Sequence, residues 1–279
     1  LTRKLWGFGI LMNVGVVGVG VVGGACKFGF ELIGHNVSVH DIAQDTELKD
    51  VLDTEVVYIC VPTPPSENGS CDVSIVESVV RDLSALNYNG LVIIKSTVEP
   101  GATERLSSKY KNLQVGFVPE FLRERCAIAD FTENHDVCII GVDTKKQFEL
   151  VKESHGHYPR KFVMVNSTEA ELCKYFSNVY NATLITLANS FYEVCLKLDV
   201  NYNKVKNAIK NRDHINGIYL DCNKNFRGFG GVCLPKDTEA MASFCEKNNI
   251  DVDFFRNILD ENKKYVVTVP KGMRKEWKY

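Results

Sequence analysis

Two kinds of chemistry are legible in residue types and spacing. Gly18-Val19-Gly20-Val21-Val22-Gly23 reads GxGxxG, and Asp41 stands 21 residues beyond Gly20. Glycines so spaced permit a tight turn and a close approach of backbone to a pyrophosphate, whose charge the amides of a following helix N-terminus favour. A carboxylate at Asp41 accepts from a ribose 2′-hydroxyl and repels a 2′-phosphate, so NAD is expected over NADP. Gly18, Gly20, Val21, Val22, Gly23 and Asp41 are the cofactor-binding candidates of this motif.

The second kind lies in four segments that join polar residues to tight turns. They are Val61-Pro62-Thr63-Pro64, Lys95-Ser96-Thr97-Val98-Glu99-Pro100-Gly101, Pro119-Glu120-Phe121-Leu122-Arg123-Glu124 and Gly228-Phe229-Gly230-Gly231-Val232-Cys233-Leu234-Pro235-Lys236-Asp237. The first three follow expected strands, and ligands of open parallel sheets bind at the carboxyl ends of strands. Lys174 and Asn178 are four residues apart in a helical stretch, which puts them on one face.

The elements that must position these residues follow from periodicity. Short β-branched runs at 14–17, 36–40, 56–61, 91–95, 114–117, 137–142 and 161–165 alternate with helical segments such as 73–86 and 144–154. That alternation predicts an α/β, Rossmann-type doubly wound and mostly parallel sheet. After Asn166 a helical pattern runs without Pro or Gly to about Leu198, with an N-cap hydroxyl and nearby carboxylate in Ser167-Thr168-Glu169-Ala170-Glu171. So long a helix predicts a connection between domains and a dimer contact. Shorter helices broken by the glycine-rich loop 227–231 follow, and 263–279 reads as a solvated basic tail. The expected domains are therefore 1–165, which binds the dinucleotide, and 166–279, mostly helical and carrying the Cys233 loop. Residues 1–11 are compatible with an upstream extension of a start at Met12.

Composition bounds the functional class. The 279 residues are 45% hydrophobic and 24% charged, with 33 Lys plus Arg against 35 Asp plus Glu, which excludes fibrous and wholly disordered classes and calls for neither nucleic acid nor a membrane as partner. The glycine-interrupted run 14–26 is too short to span a bilayer. Ten cysteines with no CxxC pair read as reduced thiols of a cytoplasmic protein. The six histidines show no metal-ligand spacing, and His155 with His157 is expected at the surface.

GFGGVCLPKD with an upstream PEFLRE resembles the UDP-glucose/GDP-mannose dehydrogenase family, and the likeness runs from Val14 to about Asp260. The resemblance implies a four-electron oxidation of a nucleotide sugar's primary alcohol, UDP-glucose first, to a carboxylate, with two NAD reduced, in a homodimer. Cys233, after a flexible GFGG loop and near Lys236, would add to the aldehyde and pass through a thioester. By likeness Glu120 is the acid/base of thioester hydrolysis, Asp237 with Thr97 positions the water, and Lys174 with Asn178 holds the oxygen that gains charge. Thr63, Thr97, Glu124 and Lys236 match positions near the nicotinamide half of the cofactor. Phe121, Leu122, Arg123, Lys174, Arg227, Phe229 and Gly230 match substrate positions, the two arginines facing the diphosphate. The cleft between domains would hold the chemistry.

The likeness also breaks. Relatives usually continue into a third domain that grips the nucleotide, which this sequence does not reach. Only 14 residues, 42–55, lie between Asp41 at the end of the second strand and the third strand, so the adenine side should be open. Arg125 stands where a small glycine is common, and Asn134-His135-Asp136-Val137 lacks a usual arginine. Two other readings remain: a single-step β-hydroxyacid dehydrogenase, which has no use for a nucleophilic cysteine, and a catalytically idle dinucleotide-binding relative.

Overall fold

A computed structural model describes residues 11–273 and 275. The proposed extension and the end of the basic tail therefore lie largely outside the described residues. All seven expected strands form, each within two residues of its expected ends: β1 Asn13–Val17, β2 Asn36–His40, β3 Val56–Ile59, β4 Leu91–Ile94, β5 Gln114–Phe117, β6 Cys138–Gly141 and β7 Phe162–Val165. They make one sheet in the order β2-β1-β3-β4-β5-β6-β7. Every pairing is parallel except β5 with β6, which meet antiparallel through Phe117 and Gly141.

Strand composition explains why the sheet is buried on both sides. Along β3, Val56 and Tyr58 join one apolar cluster, while Val57 and Ile59 join the other. Near-continuous apolar strands are the mark of a parallel sheet covered by helices on both faces. The first face is covered by α1 (Val21–Leu32), α4 (Ala127–Thr132) and α5 (Lys145–His155) through Phe30, Phe131 and Val151. The second is covered by α2 (Ser74–Ala85) and α3 (Ala102–Lys109) through Val80, Leu83 and Leu106. Each such side chain removed from water contributes roughly 1.5–3 kcal/mol before entropy is counted.

The long helix α6 runs Ser167–Lys197. Its cap is not the hydroxyl that its sequence offers. Asn166 Oδ1 accepts from the Glu169 amide at 2.8 Å, and Glu169 Oε2 accepts from the Asn166 amide at 2.8 Å. The Ser167 hydroxyl donates instead to the Gly141 carbonyl at 3.1 Å, which ties the helix start to β6. An asparagine competes well with serine for this reciprocal box.

The chain divides into two compact units, one of residues up to Pro64 with Cys71–Lys174, the other of Pro65–Ser70 with Tyr175–Tyr279. The division thus falls inside α6, and the short loop 65–70 groups with the later residues. Ser243 on α8 (Cys233–Lys247) donates to the Asn68 carbonyl at 3.1 Å, which accounts for that grouping. The second unit also contains α7 (Tyr202–Ile209) and α9 (Phe254–Asn262), and a core of Ala188, Cys195, Tyr202, Leu220 and Cys222. Among the described residues no helix is long and apolar enough to cross a membrane.

Candidate functional site

In the first unit the glycine fingerprint sits where strand order reverses, β2 on one side of β1 and β3 on the other. Each glycine does a separate task. Gly18 has φ +87°, and a Cβ there would stand 2.9 Å from the Cys60 carbonyl. A Cβ on Gly23 would stand 1.8 Å from the Gly18 oxygen, so only glycine lets α1 start this close to the turn. Gly20 faces open space, with nothing within 4 Å of its virtual Cβ.

The first intrahelical bond of α1 runs from the Gly24 amide to the Gly20 carbonyl, so the amides of Gly20, Val21 and Val22 come before any helical acceptor. An open cradle ending in unclaimed amides fits a pyrophosphate. Asp41 Oδ2 accepts from the Val19 amide at 2.6 Å and its Oδ1 from the Ala43 amide at 2.8 Å, which fixes the carboxylate at the end of β2.

The PEFLRE segment leaves β5 and turns on Glu120. Its Oε1 accepts from the amides of Phe121 and Leu122 at 2.9 and 3.2 Å. Its Oε2 lies 3.0 Å from Lys95 Nζ, out of line for a hydrogen bond, with both side chains nearly inaccessible. Burial pushes the Glu120 carboxyl up more than any one neighbour pulls it down, but Lys95, His135 and the Leu122 amide together outweigh it and hold the group below its ordinary range. Burial likewise pulls Lys95 down, and Glu120 together with the nearby Cys26, Cys138 and Cys60 carries it above its ordinary value. Glu120 is thus an ionised acceptor with lone pairs to spare on Oε2, the state of a base. Lys174 Nζ donates to the Glu120 carbonyl at 2.7 Å and lies 5.9 Å from the Phe121 ring.

Thr63 and Thr97 are drawn together by Cys71, whose thiol lies 3.9 and 3.2 Å from their carbonyl oxygens. The Thr97 loop is fastened by Glu171 on α6. This fully buried carboxylate accepts from the Gly101 amide at 2.6 Å, the Thr103 amide at 2.8 Å and the Thr103 hydroxyl at 2.6 Å.

In the second unit Asn178 Nδ2 donates to Asp237 Oδ2 at 2.5 Å, and Lys236 Nζ stands 2.7 Å from Asp237 Oδ1. All three side chains are buried. Cys233 is exposed and opens α8, one turn before Asp237 and on the same helix face. The positive end of the helix dipole lies there. The loop before it is strapped rather than flexible: Phe229 is buried, its amide donates to Asn262 Oδ1 at 2.8 Å, and its carbonyl accepts from Asn262 Nδ2 at 2.9 Å. Gly230 lies against Val267, 2.5 Å from where a Cβ would be.

Both arginines expected at a diphosphate are engaged elsewhere. Arg123 is bidentate to Asp130, with bonds of 2.8 and 2.6 Å that hold the aspartate down to about 2. Arg227 donates to Asn189 Oδ1 at 2.7 Å, pairs with Glu193, and lies between the rings of Tyr192 and Tyr265. Leu122 and Glu124 are half-buried. His155, expected at the surface, is fully buried in an aromatic cage of Phe30, Tyr58 and Phe131, while His157 is exposed. Among the described residues no cluster of His, Cys, Asp and Glu is arranged to hold a metal ion.

Three residues that hold the candidate site residues in place escaped the sequence reading: Lys95 as partner of Glu120, Glu171 as anchor of the Thr97 loop, and Asn262 as strap. Lys95 had a signal, since it ends the wholly apolar run Leu-Val-Ile-Ile and so must bring a charge toward the interior. Asn262 had none.

Two family models match the chain: the NAD-binding domain of the UDP-glucose/GDP-mannose dehydrogenase family over residues 44–158, beginning after the glycine fingerprint, and the central domain of the same family over 168–264. A UDP-glucose 6-dehydrogenase of Rickettsia prowazekii is 28% identical over 294 residues, 90% of this chain and 67% of that protein. The UDP-glucose 6-dehydrogenase TuaD of Bacillus subtilis is 28% identical over 77% of this chain and 48% of its own length. The structure of a UDP-glucose dehydrogenase from Pyrobaculum islandicum superposes with a TM-score of 0.84 at 27% identity, covering 95% of this chain and 70% of that one. The chain thus spans from about half to two thirds of the length of these curated relatives.

Proposed function

The chain belongs to the UDP-glucose/GDP-mannose dehydrogenase family, and from that premise we propose that it oxidises the primary alcohol of a nucleotide sugar, UDP-glucose first, to the carboxylate. Held by the Gly18–Gly23 turn, the amides that open α1 and Asp41, NAD would supply the hydride acceptor for each of the two oxidations. Two NAD and one water are consumed, and the acid, two NADH and three protons are released.

The observation that carries this reading is the placing of Cys233 one turn ahead of the buried Asn178–Asp237–Lys236 cluster. A thiolate of Cys233 adds to the aldehyde carbon, and the resulting alkoxide takes up a proton. Loss of hydride from that carbon together with the proton of its hydroxyl leaves a thioester on Sγ, which a water then cleaves to the acid and the free thiol. Asp237, held by Asn178 and Lys236 within the second unit, keeps a lone pair on Oδ1 for that water, and by the family likeness Glu120, ionised within the first unit, is the base. By the family likeness Lys174 and Asn178 are the donors for the oxygen that gains charge, a task worth about 3 kcal/mol per well-placed donor. Single-step hydroxyacid oxidation would leave Cys233 without a task.

The same reading includes a homodimer through α6, supported by an exposed apolar stripe of Phe176, Tyr180, Leu187, Phe191 and Val194. It also includes a reducing, cytoplasmic setting, supported by ten cysteines of which none is in a disulfide.

The test is stoichiometric. With UDP-glucose and excess NAD, the full chain is expected to form two NADH per sugar, and Cys233→Ser to release no acid product. One NADH per sugar, or an unimpaired Cys233→Ser, overturns the proposal.

A further inference from the structure

We propose that Arg125 is a positioning residue for the dinucleotide, its guanidinium gripping the pyrophosphate at the N-terminus of α1. The proposal rests on the NAD reading of the fingerprint and adds a contact which the fingerprint does not contain. A cleft of about 610 Å³ has Gly20, Val21 and Gly24 of α1 on one side and Glu124, Arg125 and Cys126 on the other. Arg125 belongs to the short 3-10 turn Glu124–Cys126 that leads into α4, and the Cys126 amide closes that turn on the Arg123 carbonyl at 3.0 Å. Ala127 follows in the core shared with Ala25 and Phe30 of α1, so the turn is held against the helix whose amides would meet the ligand.

Charge accounting in the cleft singles out this residue. Its cations are Lys27 and Arg125, and its carboxylates are Glu31 and Glu124. Lys27 is paired with Glu31 at 2.7 Å. The neighbouring Arg123 is taken by Asp130. Arg125 is exposed and has no hydrogen bond or ion pair among the described residues. An unclaimed guanidinium that lines the same cleft as unclaimed helix amides is complementary to a pyrophosphate, because its fork matches phosphate oxygens two at a time. A glycine here, as the family likeness suggests for relatives, would leave this work to the amides alone.

NADH binding to the full chain, followed by nicotinamide fluorescence, tests the proposal without turnover. Arg125→Ala is expected to raise the Kd for NADH about tenfold, and to raise that for ADP-ribose by calorimetry equally, the loss of one charge-assisted contact. Arg125→Lys should fall between, and the Kd of the wild type should climb more steeply with salt than that of Arg125→Ala. Adenosine, which has no phosphate, should bind both proteins alike. A Kd for NADH within about twofold of wild type in Arg125→Ala overturns the inference while leaving the NAD reading intact. Failure of the wild type to bind NADH overturns both.

Discussion

Lys95 Nζ and Glu120 Oε2 face each other at 3.0 Å with side chains 1% and 10% exposed. Taking two charges from water costs more than their attraction returns unless each keeps its partner, so losing one is far worse than losing both. Lys95→Met is therefore expected to destabilise the protein by about 3–5 kcal/mol in urea unfolding, and Lys95→Met/Glu120→Gln by clearly less than the sum of the single changes. Additive single effects would show that the pair is not coupled. In the Lys95→Met protein the Glu120 carboxyl loses the charge that holds it down, so the acid limb of the pH–rate profile should move to higher pH.

At the scale of elements, α6 carries two loads on two faces. One face places Glu171 at the Thr97 loop, Lys174 at the Glu120 carbonyl and Asn178 at Asp237. The other leaves Phe176 76%, Tyr180 51% and Phe191 52% exposed. Aromatic side chains at helical spacing on an exposed face are costly unless another apolar surface covers them. If a second copy does so, Phe176→Glu/Phe191→Glu should sediment as a monomer where the wild type sediments as a dimer; an unchanged mass would exclude this face. The boundaries of α6 and of the strands were readable because patterning and capping are local. The exchange of Ser167 for Asn166 as cap was not, since Ser167 was drawn away by a carbonyl 26 residues earlier.

At the scale of the whole molecule, three histidines set the acid limit. Burial lowers the pKa of His35, His135 and His155 below the usual 6.5. His155 has its Nδ1 2.9 Å from the Val151 carbonyl and leaves Nε2 without a partner. A group whose folded pKa is depressed binds fewer protons folded than unfolded, so its stability is present above 6.5 and is lost as pH falls below it. Urea midpoints should accordingly fall between pH 7.5 and pH 5.5, and His155→Leu should flatten that fall. An equal slope in the variant would remove His155 as a cause. The carboxylates held down by their partners, Glu120 and Asp130, extend the loss to lower pH.

Sequence alone determined the sheet, the glycine fingerprint with Asp41, and the motifs that carry Cys233, Asp237, Lys174, Asn178 and Glu120. All of these are written in short-range spacing, and short-range spacing is what backbone geometry and helix or strand periodicity act on. Tertiary structure decided which charges meet. It paired Lys95 with Glu120, took Arg123 and Arg227 for Asp130 and Glu193, buried His155, strapped the Phe229 loop to Asn262, and left Arg125 unclaimed. Partners tens of residues apart are chosen by burial and by whichever opposite charge the fold brings within reach, and no local pattern records that choice.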